Sequence, residues 1–71
     1  MRQMSGREAC AILSKHGFVE VRQKGSHIIM QKREPQMTRT VPVPDHREVK
    51  TGTLMIIIRQ SGVARTAFES P

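Results

Sequence analysis

The hydrophobic positions along the chain change period twice, from helical to strand spacing and back again, with turn residues dividing the strands between. Between Ser5 and Gly17 the residues Ala9, Ile12, Leu13 and His16 recur at helical spacing, while Arg7, Glu8, Ser14 and Lys15 fall on the intervening, wet positions. Ser5-Gly6-Arg7-Glu8 has the S-x-x-E form of a capping box, and Gly17 supplies a left-handed stop. An amphipathic helix of about three turns is therefore expected. His16 at its C-terminal end suits the helix dipole when protonated and reads as structural. Cys10, one step off the stripe, reads as a small, partly buried residue. From Phe18 to Lys24 the period falls to two, with Val19 and Val21 against Glu20 and Arg22, as in a half-buried strand.

Gly25-Ser26 is a hairpin connection, because glycine supplies positive φ and serine bonds its local backbone. A second strand follows over His27–Lys32. Period two groups His27, Ile29 and Gln31, yet Ile28-Ile29-Met30 is apolar throughout, so either face could turn inward. Met37–Val43 forms a third strand, which Pro42 confines to a sheet edge or a bulge. Val43-Pro44-Asp45-His46 ends that strand and turns the chain. Thr51 is a fair N-cap for a second helix with Leu54, Ile57 and Ile58 as its core stripe and Gly62 as its stop. The run Leu54–Ile58 also has strand propensity, but its caps favour helix. Val63–Phe68 adds a short docking turn anchored by Phe68. The order is α-β-β-β-α: an α+β fold with a three-stranded antiparallel sheet and two helices on one face.

Length and charge narrow the function. Seventy-one residues make one small domain, 1–71, with no room for an enclosed cofactor cavity. No apolar run approaches the roughly 18 residues of a membrane span, and Met1-Arg2-Gln3-Met4 lacks the apolar segment of a secretory signal. A cytoplasmic protein is expected, consistent with a single cysteine. Twelve lysines and arginines against six acids give a formal charge of +6, which makes polyanions the natural partners. With Phe18 and Phe68 the only aromatics, no aromatic stacking platform exists, and RNA would be held mainly by phosphates and 2′-hydroxyls.

The stretch that carries chemistry is Lys24-Gly25-Ser26-His27. A turn presenting an imidazole at a strand's mouth fixes a proton-transfer group within reach of solvent, though a histidine beside a turn can equally be structural. Cleavage of RNA without metal needs a base to take the 2′-hydroxyl proton, an acid for the leaving 5′-oxygen, and positive charge around the phosphorane. His27 is the candidate for the limiting proton transfer. Arg22, Lys24 and Ser26 on the same hairpin are candidate phosphate contacts, with a solvated strand end as the alternative. His46 is a candidate second proton carrier if the fold brings it near, and otherwise a loop-packing residue. Three scattered histidines without a carboxylate cluster do not make a metal site, and no Ser-His-Asp arrangement or glycine-rich phosphate loop is legible.

The succession Gly17-Phe18, Arg22-Gln23-Lys24-Gly25-Ser26-His27, Val43-Pro44-Asp45-His46, Gly52-Thr53-Leu54 and Gln60-Ser61-Gly62 resembles the HicA toxins, or YcfA-like proteins, of HicA-HicB toxin-antitoxin systems. The resemblance runs from about Ser5 to Phe68. It implies a double-stranded-RNA-binding-domain-like fold and an endoribonuclease that cuts messenger RNA and is neutralised by a HicB antitoxin. It also implies a catalytic histidine in the Gly-Ser-His motif, here His27; from the length and the scattered histidines, no cofactor is expected. The chain departs from the family after Gly-Thr-Leu, where members usually carry basic residues and this chain has Met55 and Ile56. These two are expected to form a patch covered by a partner, either HicB or a second copy of the chain, or else by a loop of the same chain. Two other functions fit the composition: an RNA-binding module without chemistry, and an interaction protein built on the second helix.

Overall fold

The computed structural model describes residues 2–69, so the extreme ends of the expected 1–71 domain lie outside the described residues. Helix α1 (Gly6–Lys15) is followed by strands β1 (Val19–Lys24), β2 (His27–Glu34) and β3 (Met37–Pro44), helix α2 (Thr51–Ser61) and a 3₁₀ turn, Arg65–Phe68. The sheet is antiparallel in the order β1-β2-β3. The expected α-β-β-β-α order is thus the observed one, with β2 as the central strand.

Parity along β2 divides the molecule. Ile28 and Met30 point into the core with Val41 and Val43 of β3, Leu13 of α1 and Leu54, Ile57 and Ile58 of α2. Both helices therefore pack on that face, and His27, Ile29 and Gln31 lie on the open one. Phe18, just before β1, and Phe68, in the 3₁₀ turn, are fully enclosed in the same core. Pro42 and Pro44 sit opposite Ile29 and His27 on an edge strand. Because the Asp45 N–H donates to the Ser26 carbonyl at 2.7 Å, residues 43 and 45 face β2 with their amides and the prolines take the outward positions, where no N–H is needed.

Three local expectations are corrected. The buried stripe of α1 is Gly6, Ala9, Cys10 and Leu13, with Ile12 half-buried and His16 exposed. Small residues at 6, 9 and 10 let the helix settle closer to β3 than the larger side chains would. Burial pushes the Cys10 thiol up to about 11, which keeps it neutral. Strand β1 is exposed throughout rather than half-buried. A bulge at Val21 breaks its alternation, and its inward positions, Glu20 and Gln23, bond Arg7 instead of filling the core. Finally, α2 is capped by Lys50, without a side-chain bond, and Thr51 is its first helical residue. At its other end Gly62 takes φ +70°, and the Arg39 guanidinium, paired with Glu34 at 2.9 Å, reaches the Gln60 carbonyl at 3.4 Å. That charge favours a helix C-terminus.

The capping box of α1 is complete: the Glu8 N–H donates to Ser5 Oγ (3.1 Å) and the Ser5 N–H donates to Glu8 Oε1 (2.9 Å). The Ser5 amide, with Arg2 adding to it, holds the Glu8 carboxyl below its ordinary value of 4.5. A depressed folded-state value contributes stability that is present above pH 4.5 and is lost as the pH falls through the lower folded value. Melting temperature measured against pH should therefore fall more steeply for the native chain than for Glu8→Gln once the pH drops below 4.5. Parallel curves would show that the box has no electrostatic share in stability.

Candidate active site

The hairpin joining β1 and β2 is a two-residue turn. Gly25 has φ +59° and among the described residues no non-glycine residue has positive φ, which is the II′ pattern that matches strand twist. The turn sets Lys24 directly opposite His27, and two pairs along sets Arg22 opposite Ile29. Cross-strand partners share a face, so both cations stand beside the imidazole on the open side of the sheet. His27 is exposed, while Ile29, two residues along on the same face, is only 7 % accessible. The histidine thus has an apolar neighbour and a free ring.

The segment after β3 is fixed by backbone bonds. Gly6 donates its N–H to the His46 carbonyl and Val49 donates to the Met4 carbonyl, each at 2.8 Å, while Asp45 donates to Ser26 as described. Arg7 reaches the Asp45 carboxylate at 3.5 Å, as does the Gln23 amide at 3.4 Å. The turn bearing His46 is thereby tied to α1 and to the hairpin at once. His46 is exposed, and with His27 it lines an open groove of about 430 Å³ between β3 and α2, whose walls include Pro42, Pro44, Ile56 and Gln60.

Charge is distributed unevenly around this site. Five of the six acids are in ion pairs: Glu8 with Arg2, Glu20 and Asp45 with Arg7, Glu34 with Arg39, and Glu69 with Arg65. All lie on the helix side, at sheet edges or at the chain ends. Among the described residues, Arg22, Lys24 and Arg33 on the open face have no carboxylate within 4.0 Å. A surface bearing cations and no acids, next to two imidazoles, suits a phosphodiester backbone.

The profile of the HicA toxin of bacterial toxin-antitoxin systems matches residues 6–63. The chain belongs to the HicA toxin family. No curated protein matches it. The family match spans both helices and all three strands, and so takes in the whole scaffold of the groove.

Each residue singled out in the sequence can now be placed. His27, Lys24 and Arg22 share one face of the hairpin. Ser26 is exposed at the turn, with its carbonyl engaged by Asp45. His46 lies on the same groove as His27, which its position 19 residues along the chain did not disclose. His16 closes α1 at the end of β1 away from the hairpin. The pair Met55 and Ile56 is exposed but divided: Ile56, with Thr53 and Gln60, faces the groove, whereas Met55 does not line it. Among the described residues no three His, Cys, Asp or Glu side chains converge as metal ligands, and no helix is long and apolar enough to cross a membrane.

The supporting role of Gly6 was not legible, since nothing local requires glycine in a capping box. A Cβ at Gly6 would overlap the Pro44 carbonyl oxygen and approach the Asp45 Cα to 3.2 Å. Backbone held by a sheet cannot yield cheaply, so Gly6→Ala should cost about 2–3 kcal/mol and lower Tm by on the order of 10–20 °C. Gly52→Ala, where a Cβ meets nothing within 4 Å, should instead be neutral or stabilise by about 0.4–1 kcal/mol. Thermal denaturation of both variants checks the contrast in sign.

Proposed function

We propose that this chain is an endoribonuclease toxin that cleaves messenger RNA without a metal ion, stops translation, and is held inactive by a HicB-type antitoxin. The observation that carries the reading is His27, exposed at the hairpin's lip with Lys24 opposite it, in a member of the HicA toxin family. In the reaction His27 takes the proton from a ribose 2′-hydroxyl. The 2′-oxygen attacks the adjacent phosphorus, the 5′-oxygen leaves with a proton, and the products are a 2′,3′-cyclic phosphate and a 5′-hydroxyl end. Lys24 and Arg22 offset the charge that builds on the phosphorane, and the exposed Ser26 contacts the backbone. His46 is the second proton carrier; its place on the same groove supports this. No cofactor enters the scheme, and the chain acts as one domain, its described residues sharing one core. The place of action is the cytoplasm, where messenger RNA is translated.

The antitoxin surface includes Met55, 38 % exposed, and Ile56, 54 % exposed, apolar side chains at positions where water would otherwise meet them. A cover there closes the groove as well, which links binding to inhibition. A second reading, an RNA-binding module without chemistry, is favoured by the acid-free cationic face, which would hold RNA whether or not a bond is cut.

Purified protein incubated with RNA in excess chelator should yield cyclic-phosphate ends, and His27→Ala should cut about 10²–10⁴-fold more slowly while melting at the native temperature. Intact RNA that is nonetheless bound would favour the module; unimpaired cleavage by the variant would remove His27 from the mechanism. For the partner surface, Met55→Lys combined with Ile56→Lys should abolish co-elution with a HicB-type antitoxin on gel filtration. Assembly that is unchanged, both alone and with antitoxin, would dispose of that surface.

A further inference from the structure

The groove between β3 and α2 differs in character from the face that bears Lys24 and Arg22. One wall is Pro42 and Pro44, rings without an N–H to offer. The other is Ile56, which with Thr53 and Gln60 forms a single stripe of α2, since residues three and four apart share a helix side. Glu48, the one acid without an ion pair among the described residues, also lines it. Lys50 lines it too, so the slot carries one carboxylate and one ammonium among apolar walls, with no surplus of fixed positive charge to hold phosphate. It suits a flat, uncharged heterocycle whose edge carries N–H groups, and Gln60 can both donate and accept there.

We infer that this groove is a nucleobase subsite: an unpaired base beside the scissile phosphate lies between Ile56 and the proline pair, with Glu48 and Gln60 meeting its edge. The inference rests on the ribonuclease reading and adds to it the requirement that the nucleotide beside the cut be unpaired. A base inside a duplex has both faces stacked and cannot enter such a slot. Phosphates run over the cationic hairpin, the base turns into the groove, and His27, which lines both, meets the ribose between them. Ile56 and the prolines thus do without aromatics what aromatic platforms do in other single-strand binders.

The test uses RNA methylated at every 2′-oxygen, which lacks the nucleophile and cannot be cut, added to the wild-type chain with isotope-labelled isoleucine methyls. Single-stranded RNA should shift the Ile56 methyl upfield, as a base face placed over it requires, and the same sequence as a duplex should not. Ile12, on α1, should stay put in both. With cleavable RNA, Ile56→Ser should lower kcat/KM about 10-fold, mainly through KM, and Glu48→Gln should change which base flanks the cut. Neither change is expected of a merely structural residue. If amides of Arg22 and Lys24 move while the Ile56 methyl does not, the subsite is wrong and the ribonuclease reading survives. If nothing moves with either RNA, both fall together.

Discussion

Everything in this molecule depends on a single central strand keeping its parity. β2 is flanked on both sides, so a slip of one residue would send Ile28 and Met30 to solvent and bring His27 and Gln31 into the core. Two devices hold the register. The Gly25-Ser26 turn allows only one pairing of β1 with β2, and the outward prolines of β3 would lose nothing in the present pairing but would leave β2 carbonyls unmet in the shifted one. The apolar continuity of Ile28-Ile29-Met30 is then explained. Ile29 stands outside the cluster on the helix side and lies next to the histidine on the open face, where it is nearly sealed.

The second support is the close seating of α1 against the end of β3. Glycine at position 6 permits its backbone to bond the His46 carbonyl, and the same turn is held by Val49 to Met4 and by Asp45 to Ser26. Such a small chain has little core to stabilise loops. Backbone bonds drawn from three directions do instead what packing would do in a larger protein, and they set His46 and the two prolines relative to His27. Arg39 plays a comparable part at the far end, joining β3 to the C-terminus of α2.

What could be read from the chain alone follows from the range of the interactions involved. Caps and turns are local, so Ser5 with Glu8, Gly17, Gly25 and Gly62 announced themselves, and with them the order of elements. The stripe of α1 was misjudged because its position is set by contact between Gly6 and Pro44, 38 residues apart in the chain. Strand β1 looked half-buried because its valines alternate, whereas a bulge and a position at the sheet edge leave them wet. The histidine and its cations were legible, being on one hairpin. The groove was not: its walls come from β2, β3, the following loop and α2, and neither proline nor isoleucine signals a ligand by its type.

The charge pattern ties scaffold to chemistry. Exposed ion pairs contribute little to stability, about 0.2–1 kcal/mol each, so pairing five of six acids can hardly be explained by their strength. Its larger effect is spatial. Each acid engaged with Arg2, Arg7, Arg39 or Arg65 is one kept off the open face, where Arg22, Lys24 and Arg33 then act undiminished. Glu48 breaks the pattern: without an ion pair among the described residues, it lines the groove between β3 and α2 together with Lys50, so that groove has no surplus of either fixed charge. A net charge of +6 would draw in any polyanion; the sorting of charge by face is what gives that attraction an orientation, toward the open face that carries His27.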